Sequence, residues 1–98
     1  MNMSKKETIK DGLVEFYDRG QSKDRGNYKN GKQDGLWEFF YENSQLKIRE
    51  NYKNGEKDGL WEGYYDNGQL EWSKNYKDGE REGHHESFYS NGQLKSRG

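Results

Sequence analysis

A 24-residue period runs through most of this 98-residue chain, and whatever fold it adopts must repeat with it. Residues 34–57 read DGLWEFFYENSQLKIRENYKNGEK, and residues 58–81 read DGLWEGYYDNGQLEWSKNYKDGER. Residues 82–98, EGHHESFYSNGQLKSRG, begin a further copy and stop partway. Residues 11–33, DGLVEFYDRGQSKDRGNYKNGKQ, form a copy that is one residue short near Val14 and Phe16. Residues 1–10 stand outside the pattern as a polar extension. No segment reads as a covering helix, and a single sheet cannot bury a face unaided, so a sheet built from these copies must curl on itself or pair with another molecule.

Each unit reads as strand, tight turn, strand, longer turn. Asn67-Gly68 and Asn91-Gly92 separate aromatic-rich runs from Leu-containing runs, which marks β-hairpins. Asn43-Ser44 and Arg19-Gly20 are weaker versions of the same turn. A two-residue type I′ loop at Asn67-Gly68 sets a register in which Tyr65 opposes Leu70, Gly63 opposes Trp72 and Glu62 opposes Ser73. The same register in the preceding unit pairs Tyr41 with Leu46, Phe39 with Ile48 and Glu38 with Arg49.

Alternation along the strands then divides the side chains between two faces. One face, the expected core, collects Trp37, Phe39, Tyr41, Leu46, Ile48 and Tyr52, then Trp61, Tyr65, Leu70, Trp72 and Tyr76. Glu50 and Lys74 interrupt it. The opposite face is polar, apart from an aromatic stripe of Phe16, Phe40, Tyr64 and Phe88 at one repeat position. The expected architecture is all-β: tandem hairpins in one curled antiparallel meander sheet. Tyr65 is expected to be buried and Tyr64 to be more exposed.

Composition decides whether so polar a chain can fold. With 27% hydrophobic and 36% charged residues it approaches disorder, but the net charge is only -1 and 15% of the residues are aromatic. Lys and Arg total 17 against 18 Asp and Glu, interleaved, so no basic footprint for nucleic acid exists. The same balance leaves membrane lipid only a weak place among the partners. No Cys is present, and no segment reads as a signal peptide or an apolar span, so the expected location is the cytoplasm.

The pattern D-G-x-W-x-x-Y-Y-x-N-G-Q-L…Y-x-N-G resembles the MORN repeat variant family, in the form found in bacterial YwqK-type antitoxin components. It is carried by Gly59, Trp61, Tyr64, Tyr65, Asn67, Gly68, Gln69, Leu70, Tyr76 and Gly79, and by the same positions one repeat earlier. Ser44 replaces the turn glycine, His84-His85 replace Leu-Trp, and Val14 stands where Trp is expected. The resemblance implies a binding module whose partner is another protein, a toxin among the candidates, or a structural or lipid-contacting scaffold.

Chemistry-bearing clusters are few. His84-His85-Glu86 is the one that invites a metal or acid–base role, but neighbours in a strand point to opposite faces, and His84 with Glu86 supplies two ligands where a closed zinc site takes four. No nucleophile elbow, P-loop or dinucleotide fingerprint occurs. The expectation is therefore a protein that is not an enzyme, takes no cofactor or metal, and is a monomer or weak homodimer. Its partner would meet it on Phe16, Phe40, Tyr64 and Phe88, since aromatics rimmed by polar groups are common docking centres.

Overall fold

The computed structural model describes residues 11–18 and 21–98, with side chains for 11–15 and 24–98. The extension 1–10, the turn at Arg19-Gly20 and the side chain of Phe16 lie outside the described residues. The strands are β1 (Gly12–Asp18), β2 (Gln21–Lys29), β3 (Lys32–Gln33), β4 (Gly35–Phe40), β5 (Leu46–Lys53), β6 (Glu56–Lys57), β7 (Gly59–Tyr64), β8 (Leu70–Lys77), β9 (Glu80–Arg81), β10 (Glu86–Phe88) and β11 (Leu94–Arg97). They form one antiparallel sheet in the order β1-β2-β4-β5-β7-β8-β10-β11, with β3, β6 and β9 prolonging the pairing of β2, β5 and β8. The sheet is a meander that does not close into a barrel, and the described residues contain no helix. Its extents, 50 × 33 × 15 Å, are those of a single layer.

The two turns of each repeat differ from the expected assignment. Type I′ geometry, with positive φ at both central residues, occurs at Asn30-Gly31, Asn54-Gly55 and Asp78-Gly79, where two-residue loops join Lys29 to Lys32, Lys53 to Glu56 and Lys77 to Glu80. The loop at Asn67-Gly68 is instead three residues long. Tyr65 N–H donates to the Gln69 carbonyl at 2.8 Å, Gly68 N–H donates to the Tyr65 carbonyl at 3.0 Å, and only Gly68 has positive φ. This is a type I turn followed by a left-handed residue. The Asn91-Gly92 loop repeats it, as does Asn43-Ser44, where Ser44 is held at φ 73°.

Asparagine is used at these loops for its side chain rather than its backbone. In each loop Oδ1 of Asn43, Asn67 or Asn91 accepts from the N–H two residues on, at 2.9 Å. The amide of Asn43 donates to the Asp66 carbonyl of the next loop, and that of Asn67 to the Ser90 carbonyl, at 3.0 and 3.2 Å. Loop therefore ties to loop along one border of the sheet.

The longer loop also slips the register beside it. Glu62 faces Ser73, Gly63 faces Trp72, Glu38 faces Arg49 and Phe39 faces Ile48, as expected. Beyond a bulge, however, Leu70 faces Tyr64 and Leu46 faces Phe40, rather than Tyr65 and Tyr41. Leu46 and Leu70 thus stand in register with the aromatic stripe, not with the tryptophans.

A second bulge, built on the recurring Asp-Gly-Leu-Trp, organises the opposite border. Gly35 and Gly59 take φ of 78° and 96°. Past each glycine the Trp indole turns back across the sheet: Trp37 Nε1 donates to the Asn27 carbonyl at 3.0 Å, and Trp61 Nε1 to the Asn51 carbonyl at 2.8 Å. The same carbonyls accept the N–H of Asp34 and Asp58. The Asn51 amide closes the second bulge by donating to the Leu60 carbonyl at 2.8 Å.

Among the described residues these two indoles are the apolar side chains that are buried, at 3% and 7% exposure. Tyr28 meets Trp37 edge-on at 5.1 Å, and Tyr52 and Tyr76 flank Trp61 at 5.2 and 5.3 Å. A Cβ on Gly26 would fall within 1.9 Å of the Trp37 ring, and one on Gly63 within 2.2 Å of Trp72, so both glycines are seats for indoles. The remaining expected core residues, Phe39, Tyr41, Leu46, Ile48, Tyr52, Tyr65, Leu70, Trp72 and Tyr76, are half-buried. Tyr65 is half-buried, because no second layer of the described residues covers this face; its hydroxyl donates to the Phe88 carbonyl at 2.6 Å. Tyr64 is half-buried as well.

Glu50 and Lys74 find places on the Trp face. Lys74 Nζ sits 5.1 Å above the Trp72 ring. Glu50 accepts from the Tyr52 hydroxyl at 2.9 Å, yet desolvation raises its pKa above the ordinary 4.5. The Tyr52 hydroxyl is also pushed up, first by burial and then by its bond to Glu50.

Two predictions follow from these contacts. Ser44→Gly is expected to raise stability by about 1 kcal/mol, read from urea unfolding, because a non-glycine residue in the left-handed region costs roughly that much. Because the folded pKa of Glu50 lies above its unfolded value, its contribution is present below about pH 4.5 and lost as pH rises through the folded pKa. Glu50→Gln is therefore expected to raise Tm at pH 7 and to leave it unchanged near pH 4.

Candidate protein-binding face

The face opposite the tryptophans carries three columns running across the strands. The first is leucine: Leu13, Leu36 and Leu60 pair in register with Asn27, Asn51 and Asn75 and are 68%, 45% and 38% exposed. They recur with the Asp-Gly-Leu that opens the first three units, a period visible in the sequence but outside the expected core and stripe. His84 takes the leucine position in the last unit and is exposed.

The second column is a ladder of alternating charge. Arg25 Nε donates to Glu38 Oε1 at 2.7 Å, Arg49 Nη2 lies 3.5 Å from Glu38 Oε2, and Arg49 Nη1 lies 3.6 Å from Glu62 Oε1. Glu38, only 9% exposed, is thus held between two guanidinium groups. Its charge also raises the pKa of Arg25, mainly through their hydrogen bond. At the far end Arg97 Nε donates to Glu86 Oε2 at 2.9 Å. Between the two stretches stands Ser73, facing Glu62 on one side and Glu86 on the other.

The third column is the aromatic stripe. Phe40, Tyr64 and Phe88 share this face and are each half-buried. The Arg25 guanidinium lies 5.4 Å from the Phe40 centroid. Tyr64 donates to Glu62 Oε1 at 2.9 Å, and its pKa is raised by burial first and by Glu62 second. Lys47 does not cover the stripe: its Nζ lies over Tyr41, 5.5 Å from the ring centroid. Phe16 does not align with the stripe: it pairs with Asp24 as Phe39 pairs with Ile48, so Tyr17 holds the stripe's register position. The one-residue deletion in the first repeat falls after Phe16 in structural terms, which accounts for the misplacement.

His84, His85 and Glu86 border one cleft but are not gathered as ligands of one ion. His85 occupies the Trp position on the other face and exchanges backbone bonds with Gly98, at 3.0 and 2.8 Å. Among the described residues no three His, Asp or Glu side chains gather as a metal would need. What the face offers is flat apolar contact on both sides of a charged strip.

The model of the family described as MORN repeat variant matches residues 33–54, 57–79 and 81–98. No curated protein matches the sequence. A chain in the crystal structure of the GtfA/B complex bound to UDP and GlcNAc is similar over 90% of this chain and 22% of that one, at 16% identity and a TM-score of 0.48.

Proposed function

The chain belongs to the MORN repeat variant family, and we propose that it is a non-catalytic protein-binding module that meets its partner through the face carrying Phe40, Tyr64 and Phe88. The observation that supports this reading is the stripe itself. Three rings at one repeat position stand on a face that no other layer of the described structure covers, spaced roughly 9–10 Å apart because each repeat advances two strands. Flanked by Leu36 and Leu60 and divided by the charged strip, they supply anchors for apolar side chains beside fixed charges for orientation.

The finer reading of the partner rests on the resemblance to YwqK-type antitoxin components, and the partner proposed on that ground is a toxin; the cytoplasm is proposed as the compartment. A surface built from a repeat suits an extended partner segment, since successive units offer equivalent contacts. The module works as a monomer or weak homodimer, leaving the face free.

Phe40→Thr combined with Tyr64→Thr keeps β-compatible residues in both strands. The double variant is expected to retain the amide spectrum of the sheet, with a lower Tm, while losing the protein that the wild type captures from an extract of its source organism. Equal capture by wild type and variant would sink the proposal. Light scattering on the pure protein distinguishes a self-assembling scaffold, which would appear as a stable oligomer that survives dilution.

A further inference from the structure

The charge ladder is missing one rung. The position that pairs with the glutamate in fifth place of each unit (Glu15, Glu38, Glu62 and Glu86) is Arg25, Arg49 and Arg97 in three repeats and Ser73 in the remaining one. Where the rung is filled by Arg49, the guanidinium bridges two carboxylates, Glu38 and Glu62, from adjacent strands. At Ser73 the two flanking carboxylates remain, Glu62 on β7 and Glu86 on β10. Each then has one arginine where Glu38 has two: Glu62 has Arg49 and the Tyr64 hydroxyl, and Glu86 has Arg97.

Three further observations bear on the vacancy. A cleft borders Ser73 on its Asn75 and His84 side, lined by Ser73, Asn75, His84, His85, Glu86 and Arg97, so that Glu86 faces it while Glu62 and Phe88 lie outside its lining. In the filled rung nearest the first repeat, Arg25 lies 5.4 Å from the Phe40 centroid. Phe88, the stripe residue one repeat beyond Tyr64, carries no such cation among the described residues. Finally, residues 58–81 form the most acidic unit, with six acidic and three basic residues.

We propose that the gap at Ser73 is a receptor for an arginine side chain of the partner protein, which completes the ladder by bridging Glu62 and Glu86 and lying against Phe88. The inference rests on the protein-binding reading above and names the group that this part of the face recognises. Arginine fits better than lysine because the planar guanidinium presents donors on two edges, as Arg49 does towards Glu38 and Glu62, whereas a compact ammonium would have to draw both carboxylates to a single atom.

The test uses the full chain and two kinds of variant. Acetyl-Gly-Arg-Gly-amide is titrated while the backbone amides of Ser73, Glu86 and Phe88 are followed by NMR. Saturable shifts centred on those residues are expected, at least tenfold weaker with lysine or with the uncharged isostere citrulline in place of arginine. Ser73→Arg fills the rung from within: it should raise Tm by about 4 °C, abolish the peptide shifts and weaken partner capture. Ser73→Gln, which is polar but shorter and without charge, should do none of these. Shifts that are equal for arginine and citrulline, that persist in Ser73→Arg, or that magnesium chloride reproduces would overturn the proposal. Partner capture that survives Ser73→Arg but is lost in the Phe40→Thr, Tyr64→Thr variant would overturn the arginine receptor and leave the binding face standing. Capture lost in Ser73→Arg but kept in the double variant would support the receptor and remove the aromatic stripe from the proposed function.

Discussion

The bond from the Trp37 and Trp61 indoles to the carbonyl of the Asn ten residues before each is the contact on which the rest of this sheet depends. A single layer 15 Å thick has little interior, so a side chain that is to be buried must be laid flat on its own sheet. Gly35 and Gly59 allow this by taking backbone angles that shift the strand and return the indole over its neighbours. The Asn27 and Asn51 carbonyls then satisfy the one polar group that the ring carries. Tyr28, Tyr52 and Tyr76 close around the indoles from the sides. Burial is thereby obtained from contacts between adjacent repeats, which is why the period must be kept.

The same arrangement divides the labour between faces. Aromatic rings and their seats at Gly26 and Gly63 use up the first face. The second is held by ion pairs and backbone pairing, and its apolar columns stay half-buried or exposed. Glu38 shows what the second face can hold: a nearly buried carboxylate between Arg25 and Arg49, costly alone and tolerable in a ladder. Where the ladder lapses at Ser73, the face changes from self-satisfied to receptive.

Much of this was legible in the sequence, and what was not has physical reasons. The period, the antiparallel meander and the pairs Glu38–Arg49, Gly63–Trp72 and Phe39–Ile48 could be read directly, because strand alternation and charge complementarity agree on them. The turn assignment failed at Asn67-Gly68 because the dipeptide fits two geometries: asparagine at positive φ in a two-residue loop, or asparagine capping a three-residue one. That one-residue difference moved Leu46 and Leu70 to the stripe. The depth of burial was overestimated at Tyr65, since alternation tells which face a residue is on but not whether anything covers that face. Glu50 and Lys74 looked like defects until the neighbouring Tyr52 and Trp72 were seen to receive them. The missing arginine was in plain view in the repeat alignment, but its meaning depends on the cross-strand distances of the neighbouring rungs.

The most direct test of this account is hydrogen exchange at the three tryptophan indole N–H groups, resolved by NMR in the intact protein. Trp37 and Trp61 should exchange slowly, since both donate to asparagine carbonyls beneath neighbouring rings, while half-buried Trp72, seated on Gly63 without such an acceptor among the described residues, should exchange fast. Three indoles exchanging alike at the rate of a free side chain would contradict it.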